Sequence, residues 1–311
     1  MFHIIEILLP VVCLIGTGYV LTQRSLISSD HVDGLMWFAQ SVAIPCLLFV
    51  AISRVEIERV LQPEFLASFY LASTVTFLLG TFGARIFFGR SGGESVSIGF
   101  VTLYSNNVLV GLPILDRAYG AESLASGFVI VSLHAPFCYC IGIVAMEVAC
   151  ANGRGFTATA LTATKTMFSN VLTLAIVFGF LVNVTETPVP AFFTAATELF
   201  AQSALPVALF SLGGVLVRFH LKDSLRETVT VCFLKLVIHP GIAYVLATRV
   251  FELDPAFTRA VVVLAAMAPG VNGYVFATMY NRARNTAASA VLAGTALSVL
   301  SASFWLAFLG V

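Results

Sequence analysis

The sequence predicts an all-α integral membrane protein: ten transmembrane helices forming two inverted five-helix repeats, with helices 4 and 9 broken and crossing at the bilayer midplane. Three observations carry this expectation. The 311-residue chain is 59% hydrophobic and only 10% charged, with mean hydropathy +0.98, whereas a soluble domain carries about 25% charged residues. Its apolar residues fall in blocks of about 20, each long enough to cross a hydrocarbon core of about 30 Å. Two of those blocks contain polar side chains among Gly and Pro: Ser105-Asn106-Asn107-Val108-Leu109-Val110-Gly111-Leu112-Pro113, and Ala268-Pro269-Gly270-Val271-Asn272-Gly273.

Composition also excludes classes. The net charge is zero, and no basic stripe suits a nucleic acid. The first twenty residues lack the positive start of a signal peptide. Pro10 and Gly16-Thr17-Gly18 fit a first membrane helix instead. The six cysteines lie within or at the ends of apolar spans. Cys138-Tyr139-Cys140 is too tight for a CxxC motif and no zinc spacing accompanies it, so they read as small apolar fillers.

In order, the spans run near 3–22, 33–52, 63–84, 96–118, 123–149, 162–183, 191–217, 226–248, 259–280 and 286–310. Turn and cap residues separate them: Ser28-Ser29-Asp30, Arg90-Ser91-Gly92-Gly93-Glu94, Ala151-Asn152-Gly153-Arg154-Gly155 and Pro188-Val189-Pro190. None of these connections holds a soluble domain. The expected division is a first repeat at 1–150, a cytoplasmic linker at 151–161 and an inverted second repeat at 162–311. Loops after the odd spans hold Arg24, Arg85, Arg90, Arg154, Lys165, Arg218, Lys222, Arg226, Arg282 and Arg284. The opposite side holds Arg54, Arg59, Arg117, Arg249 and Arg259. The richer side is cytoplasmic by the positive-inside rule, which places both termini outside.

Two proline-bearing segments carry the repeat. Ala43-Ile44-Pro45-Cys46-Leu47-Leu48-Phe49 in span 2 matches Ala204-Leu205-Pro206-Val207-Ala208-Leu209-Phe210 in span 7, 161 residues on. Pro113 and Pro269 in the broken spans differ by 156. An odd number of helices per half turns the second half upside down, the arrangement in which broken helices meet at the midplane.

Each of these prolines removes a backbone donor and exposes the amino end of a half-helix. Such ends carry partial positive charge and suit a carboxylate. Ser105, Asn106, Asn107 and Asn272 add donors and acceptors without a buried charge. Gly111, Pro113, Pro269 and Gly270 shape the breaks. The bland reading is a kinked helix glued to its neighbour by Asn. The matched pair favours a binding site, although Asn106 maps onto Val262 and not onto Asn272 under the offset of 156.

Few ionisable residues lie deep in spans, where they default to functional candidates. His134 either meets substrate or takes up a proton, or it is a neutral ring bonded to a backbone carbonyl. Lys235, one turn before His239-Pro240, reads as snorkelling toward the cytoplasmic face, with attraction of an anion as the alternative. Glu6, Glu147 and Glu198 lie nearer span ends and read as interfacial.

Asn106-Asn107-Val108-Leu109-Val110-Gly111-Leu112-Pro113, followed by Ala118-Tyr119-Gly120, resembles the span-4 signature of the auxin efflux carrier family. Val271-Asn272-Gly273-Tyr274-Val275-Phe276-Ala277, followed by Tyr280, resembles the span-9 signature of its bacterial malonate and malate permease-like branch. Pro45 and Pro206 also stand where that family has prolines. The resemblance covers all ten spans. It implies an elevator-type carrier with a scaffold and a transport domain, moving organic anions across the inner membrane. Asn107 stands where Thr is common, and the long central loop of the plant hormone carriers is missing.

The expected function is a secondary carrier for a small mono- or dicarboxylate, without a cofactor and coupled to a proton or sodium gradient. Its partners are the organic anion and the lipid bilayer, with no nucleic acid and with a homodimer as candidate assembly. No GxxxxGK[ST] motif supplies ATP drive. The runner-up is a cation/proton antiporter or a sodium-coupled steroid symporter of bile-acid type. An antiporter wants an acidic pair near the break, and Glu94, Asp116, Glu122 and Glu147 flank spans 4 and 5 only at their edges. An enzyme lacks support: no HExxH or GxSxG occurs, and the five histidines never place two on one helix face as a haem protein requires. A receptor or structural protein needs no matched broken helices.

Overall fold

A computed structural model describes residues 2–55, 62–150, 171–221 and 225–311. Among these the secondary structure is helical, with a single isolated β-bridge. The linker at 151–161, the start of the sixth span, and Arg59, Arg154, Lys165 and Lys222 lie outside the described residues.

Among the described residues twelve helices follow in order. They are α1 (Phe2–Gln23), α2 (Ser29–Arg54), α3 (Pro63–Phe87), α4 (Gly92–Leu103), α5 (Leu112–Tyr119) and α6 (Ala121–Cys150). Then come α7 (Val171–Thr185), α8 (Ala191–Leu216), α9 (Leu225–Val250), α10 (Pro255–Ala265), α11 (Val271–Met279) and α12 (Arg284–Phe308). Seven of them, α1, α2, α3, α6, α8, α9 and α12, are long and apolar enough to cross a bilayer. This is a multi-pass membrane protein.

Local chemistry explains the boundaries. Ser28 caps α2 by accepting the N–H of His31 at 3.3 Å. Ser91 and Glu94 form a capping box at the start of α4. Pro63 and Pro255 occupy first turns, where a missing N–H costs nothing. Gly120, at φ +79°, takes the left-handed turn that ends α5 and opens α6. Within α2 the helix widens to a π turn over Ala39–Ala43, just before Pro45.

The helices pack as two groups. In one, α1 lies along α8, and α2 packs on both α7 and α8. The other gathers α3, α4, α5, α6, α9, α10, α11 and α12, with α3 against α4, α9 against α10 and α12, and α11 against α4 and α12. Small residues allow the closest approaches, as between helices in lipid. A Cβ at Gly18 would overlap the carbonyl oxygen of Phe210, and one at Gly213 that of Ile15, so α1 and α8 touch backbone to backbone.

Candidate functional site

The two interrupted segments meet. Helix α4 ends at Leu103, and Tyr104 turns to extended geometry at φ −82°, ψ 108°. Helix α10 ends at Ala265, and the chain then runs to α11 through Met267, Ala268, Pro269 and Gly270. These non-helical stretches pair with Ser105 opposite Pro269. The N–H of Asn106 donates to the oxygen of Ala268 at 2.9 Å, and that of Gly270 to the oxygen of Tyr104 at 2.8 Å. Backbone groups freed by one break are satisfied by the other, as irregular backbone at membrane depth demands. Gly270 permits this, because a Cβ there would lie 2.8 Å from the Tyr104 ring.

The prolines act differently from each other. Pro269 lies in its break and has no N–H to offer the carbonyl of Ala265 four residues before it. Pro113 does not mark its break. The α4 segment parts at residues 104–106, continues through a π turn over Asn107–Gly111, and only then reaches Pro113 in the first turn of α5. Pairing across the crossover, rather than proline, places that first break.

Beside the crossover lies a cavity of about 230 Å³. Ser105, Asn106, Asn107, His134, Gly270 and Asn272 line one side. Gln40, Ser41 and Ile44 of α2 and Thr173 of α7 line the other, so the cavity sits between the two groups of helices. Gly111, Pro113 and Pro269 do not line it. Gly111 instead lets the π turn pack on α10, where a Cβ would come within 2.7 Å of Leu264. Pro113 borders a separate groove with Pro10 and Pro206. Pro269 packs on Gly294 of α12, where a Cβ would overlap its ring.

The asparagines in the cavity divide into two kinds. Nδ2 of Asn272 donates to the Tyr104 hydroxyl at 2.8 Å. Asn106 and Asn107 are 5% and 1% exposed, yet Nδ2 of the first, and both Nδ2 and Oδ1 of the second, have no partner among the described residues. An unmet buried polar group costs about 1–3 kcal/mol. Three such atoms on two residues that line one cavity make a poor helix glue.

Behind the crossover stands a basic cluster. Lys235 of α9 is 0% exposed, which overturns the snorkelling expectation. Its Nζ donates to Ser105 Oγ at 2.5 Å and to Leu103 O at 3.3 Å, and it lies 3.1 Å from His239 Nδ1. The ammonium thus reaches the free carbonyl end of α4, the end a cation favours. His239 Nδ1 also stands 3.0 Å from the oxygen of Ala265, the acceptor that Pro269 leaves unmet, and Nε2 lies 2.9 Å from Ser73 Oγ. His134 accepts the N–H of Ser105 on Nε2 at 3.1 Å. It caps a backbone amide, not a carbonyl, and an accepting Nε2 is the unprotonated nitrogen of the ring.

At the helix ends, Arg90 grips Glu227 of α9 through Nε at 2.7 Å and Nη2 at 3.0 Å, and Thr286 of α12 donates to the same carboxylate at 2.8 Å. Nη1 reaches Glu94 at 3.3 Å. The Ser91 hydroxyl, bonded to Glu94, holds that carboxyl below the usual carboxylate range, with Arg90 adding to the effect.

The family model for membrane transport proteins matches residues 3–306 of the chain. The chain belongs to that family, the family of auxin efflux carriers. The transporter is 24% identical over 300 residues to a Rhizobium meliloti (strain 1021) protein named "Putative malonate transporter", covering 96% of this chain and 93% of the other. It is 23% identical over 303 residues to the "Uncharacterized transporter YfdV" of Escherichia coli (strain K12), covering 96% and 95%. An "Uncharacterized transporter" of Methanothermobacter thermautotrophicus is 22% identical over 310 residues, covering 96% of each chain. The family and these names mark a transporter and not an enzyme.

Sequence reading singled out the lining of the transporter's crossover but missed Tyr104, Ser73 and the polar wall formed by Gln40 and Ser41. One signal was available for the basic cluster. Lys235 and His239 are four residues apart, hence on one helix face.

Proposed function

We propose that the transporter is a secondary carrier for a small organic anion, a mono- or dicarboxylate, working by elevator-type alternating access. The observation that carries this reading is the unpartnered, buried amide atoms of Asn106 and Asn107, two residues that line a cavity beside two half-helix amino ends. Asn272 and the first turns of α11 and of the Asn107–Gly111 turn complete a neutral, donor-rich pocket for a carboxylate. Its volume of about 230 Å³ is below the about 300–1,000 Å³ typical of drug-sized ligands. The printed name of the Rhizobium relative makes malonate the first substrate to try.

On this reading α1, α2, α7 and α8 are the scaffold and the other helices carry the site. The repeat division at 1–150 and 162–311 gains support from packing. Gly18 meets the carbonyl of Phe210, and Gly179 lies against that of Phe49. Each residue of the first pair differs by 161 from its counterpart in the second, the offset that relates Pro45 to Pro206. Ten spans in two inverted repeats, both termini periplasmic in an inner membrane, and a homodimer belong to the same proposal.

The test is uptake of labelled mono- and dicarboxylates, malonate first, into proteoliposomes, with and without imposed proton and sodium gradients. Saturable uptake of a carboxylate, lost in Asn106→Ala, is the expected result. Uptake unaffected by Asn106→Ala and Asn272→Ala overturns the site, and sodium/proton exchange without any carboxylate uptake overturns the substrate class.

A further inference from the structure

Nδ1 of His239 faces two partners with opposite demands. Lys235 Nζ stands 3.1 Å away and Ala265 O 3.0 Å away. An ammonium only donates, so it requires a bare Nδ1, whereas a carbonyl only accepts and requires Nδ1–H. The other side of the ring holds the same choice. Ser73 Oγ lies 2.9 Å from both Nε2 and the oxygen of Phe69, and its single hydrogen goes to one or the other.

Two complete patterns follow. With Lys235 as ammonium, its three hydrogens go to Ser105 Oγ, Leu103 O and His239 Nδ1. Nε2–H then donates to Ser73, whose hydrogen goes to Phe69 O. With Lys235 as amine, its hydrogens serve Ser105 and Leu103, Nδ1–H donates to Ala265 O, and Nε2 accepts from Ser73. The ring stays neutral in both, one proton having moved from one of its nitrogens to the other. The net difference is one proton on Nζ.

The surroundings supply no counter-charge. Titratable and polar groups around Lys235 are Tyr70 and Ser73 of α3, Tyr104 and Ser105 of the crossover, His134 and Cys138 of α6, and His239 of its own helix. Helix α10 adds the Ala265 carbonyl and α12 the Ser301 hydroxyl, bonded to Leu236 O. None is a carboxylate, and Lys235 forms no ion pair among the described residues. Nζ is bonded to the hydroxyl of Ser105, and Ser105 lines the cavity.

We propose that Lys235 is the proton-binding group of this transporter, an ammonium while an anion fills the cavity and an amine while it is empty, and that His239 changes tautomer with it. The proposal rests on the anion-carrier reading above. The proton arrives from solvent in the cavity. The amine first turns its lone pair to Ser105, and the proton bonds to Ser105 Oγ as the serine's own hydrogen passes to Nζ, so one O–H bond breaks, one forms, and one N–H bond is gained; in the ring Nδ1–H is lost as Nε2–H forms, with no net change. The anion's charge is then offset across a single hydroxyl, and the loaded form crosses with one negative charge fewer.

Two measurements test this. The first needs no substrate: ¹⁵N spectra of histidine-labelled protein in nanodiscs, with His239 assigned by its loss in His239→Gln, across a pH titration. The expected result is a shift of the His239 tautomer with pH in the wild type and a fixed Nδ1–H form in Lys235→Met. An invariant tautomer in the wild type, or the same shift in Lys235→Met, overturns the proposal. The second is [¹⁴C]malonate flux in proteoliposomes. Lys235→Arg, held charged, is expected to lose net uptake about tenfold or more relative to malonate–malonate exchange, because the empty form no longer returns. Equal loss of both fluxes in a variant that elutes as folded protein overturns the coupling. Absence of malonate flux in the wild type with the titration intact overturns the substrate reading and leaves the proton site standing.

Discussion

Nδ2 of Asn272 donates to the hydroxyl of Tyr104 at 2.8 Å, tying the first turn of α11 to the end of α4 across the crossover. That bond fixes one amide of the cavity while Asn106 and Asn107 keep theirs unbonded. The difference separates positioning from binding, and it gives the variants distinct expectations.

On the carboxylate-carrier reading proposed above, Asn106→Ala and Asn107→Ala each remove unpartnered amide groups of cavity-lining residues. A hydrogen bond to a charged group is worth about 1.5–3 kcal/mol, so affinity should fall about 10–100-fold. Tyr104→Phe should cost less, since it only releases Asn272. Equilibrium binding of malonate by calorimetry measures both, and equal losses would sink the distinction.

Pro113→Ala separates the two prolines. Pro113 borders a groove apart from the cavity, so malonate affinity in Pro113→Ala should stay within about threefold of wild type. Pro269→Ala removes the ring that packs on Gly294 beside the crossover and should alter the pH dependence of uptake. The two pH–rate profiles decide it.

Gly18→Leu drives a side chain into the carbonyl of Phe210 at the α1–α8 contact. Overpacking of this kind costs about 1–3 kcal/mol. The expected readout is a lower thermal midpoint in detergent, with no change in malonate affinity in the protein that remains folded.

Glu227→Gln weakens the clasp that joins the α3–α4 turn to α9 and α12. Arg90 is one-third exposed, so screening keeps the loss to about 1 kcal/mol. Thr286→Val should cost less, because it removes one of three donors to that carboxylate. Thermal melts of both variants rank them.

Glu94 provides an acid-side test. Its carboxyl lies below the usual range because of the Ser91 hydroxyl. A depressed folded value means that the stabilisation is present above the unfolded carboxylate value of about 4.3 and is lost as pH falls through the folded value. Stability of the wild type should therefore decline in that acidic window, and Glu94→Gln should flatten the decline.

Much of the architecture was legible in the residues. Apolar blocks, Ser91-to-Glu94 capping and the polar Gly/Pro runs are local properties, and they marked the long apolar helices and the two segments that are interrupted, though not the position of the first break. The site was legible only in part. Asn106, Asn107, His134 and Asn272 were named and do share a cavity, but Gly111 and Pro113 were grouped with them by proximity in sequence alone. Lys235 was misread for a physical reason. A lysine in a span either stretches to the interface or finds acceptors inside, and its acceptors, Leu103 O and Ser105 Oγ, lie 130 or more residues away.

By itself the sequence determined that this chain is a multi-pass membrane protein and which two apolar segments are interrupted, because burial in lipid is set by composition over about 20 residues. Tertiary structure alone decided which freed backbone groups answer each other, which amides stay unmet and where Lys235 ends. Those outcomes depend on contacts between distant segments, and a hydrogen bond is made or lost within a few tenths of an ångström.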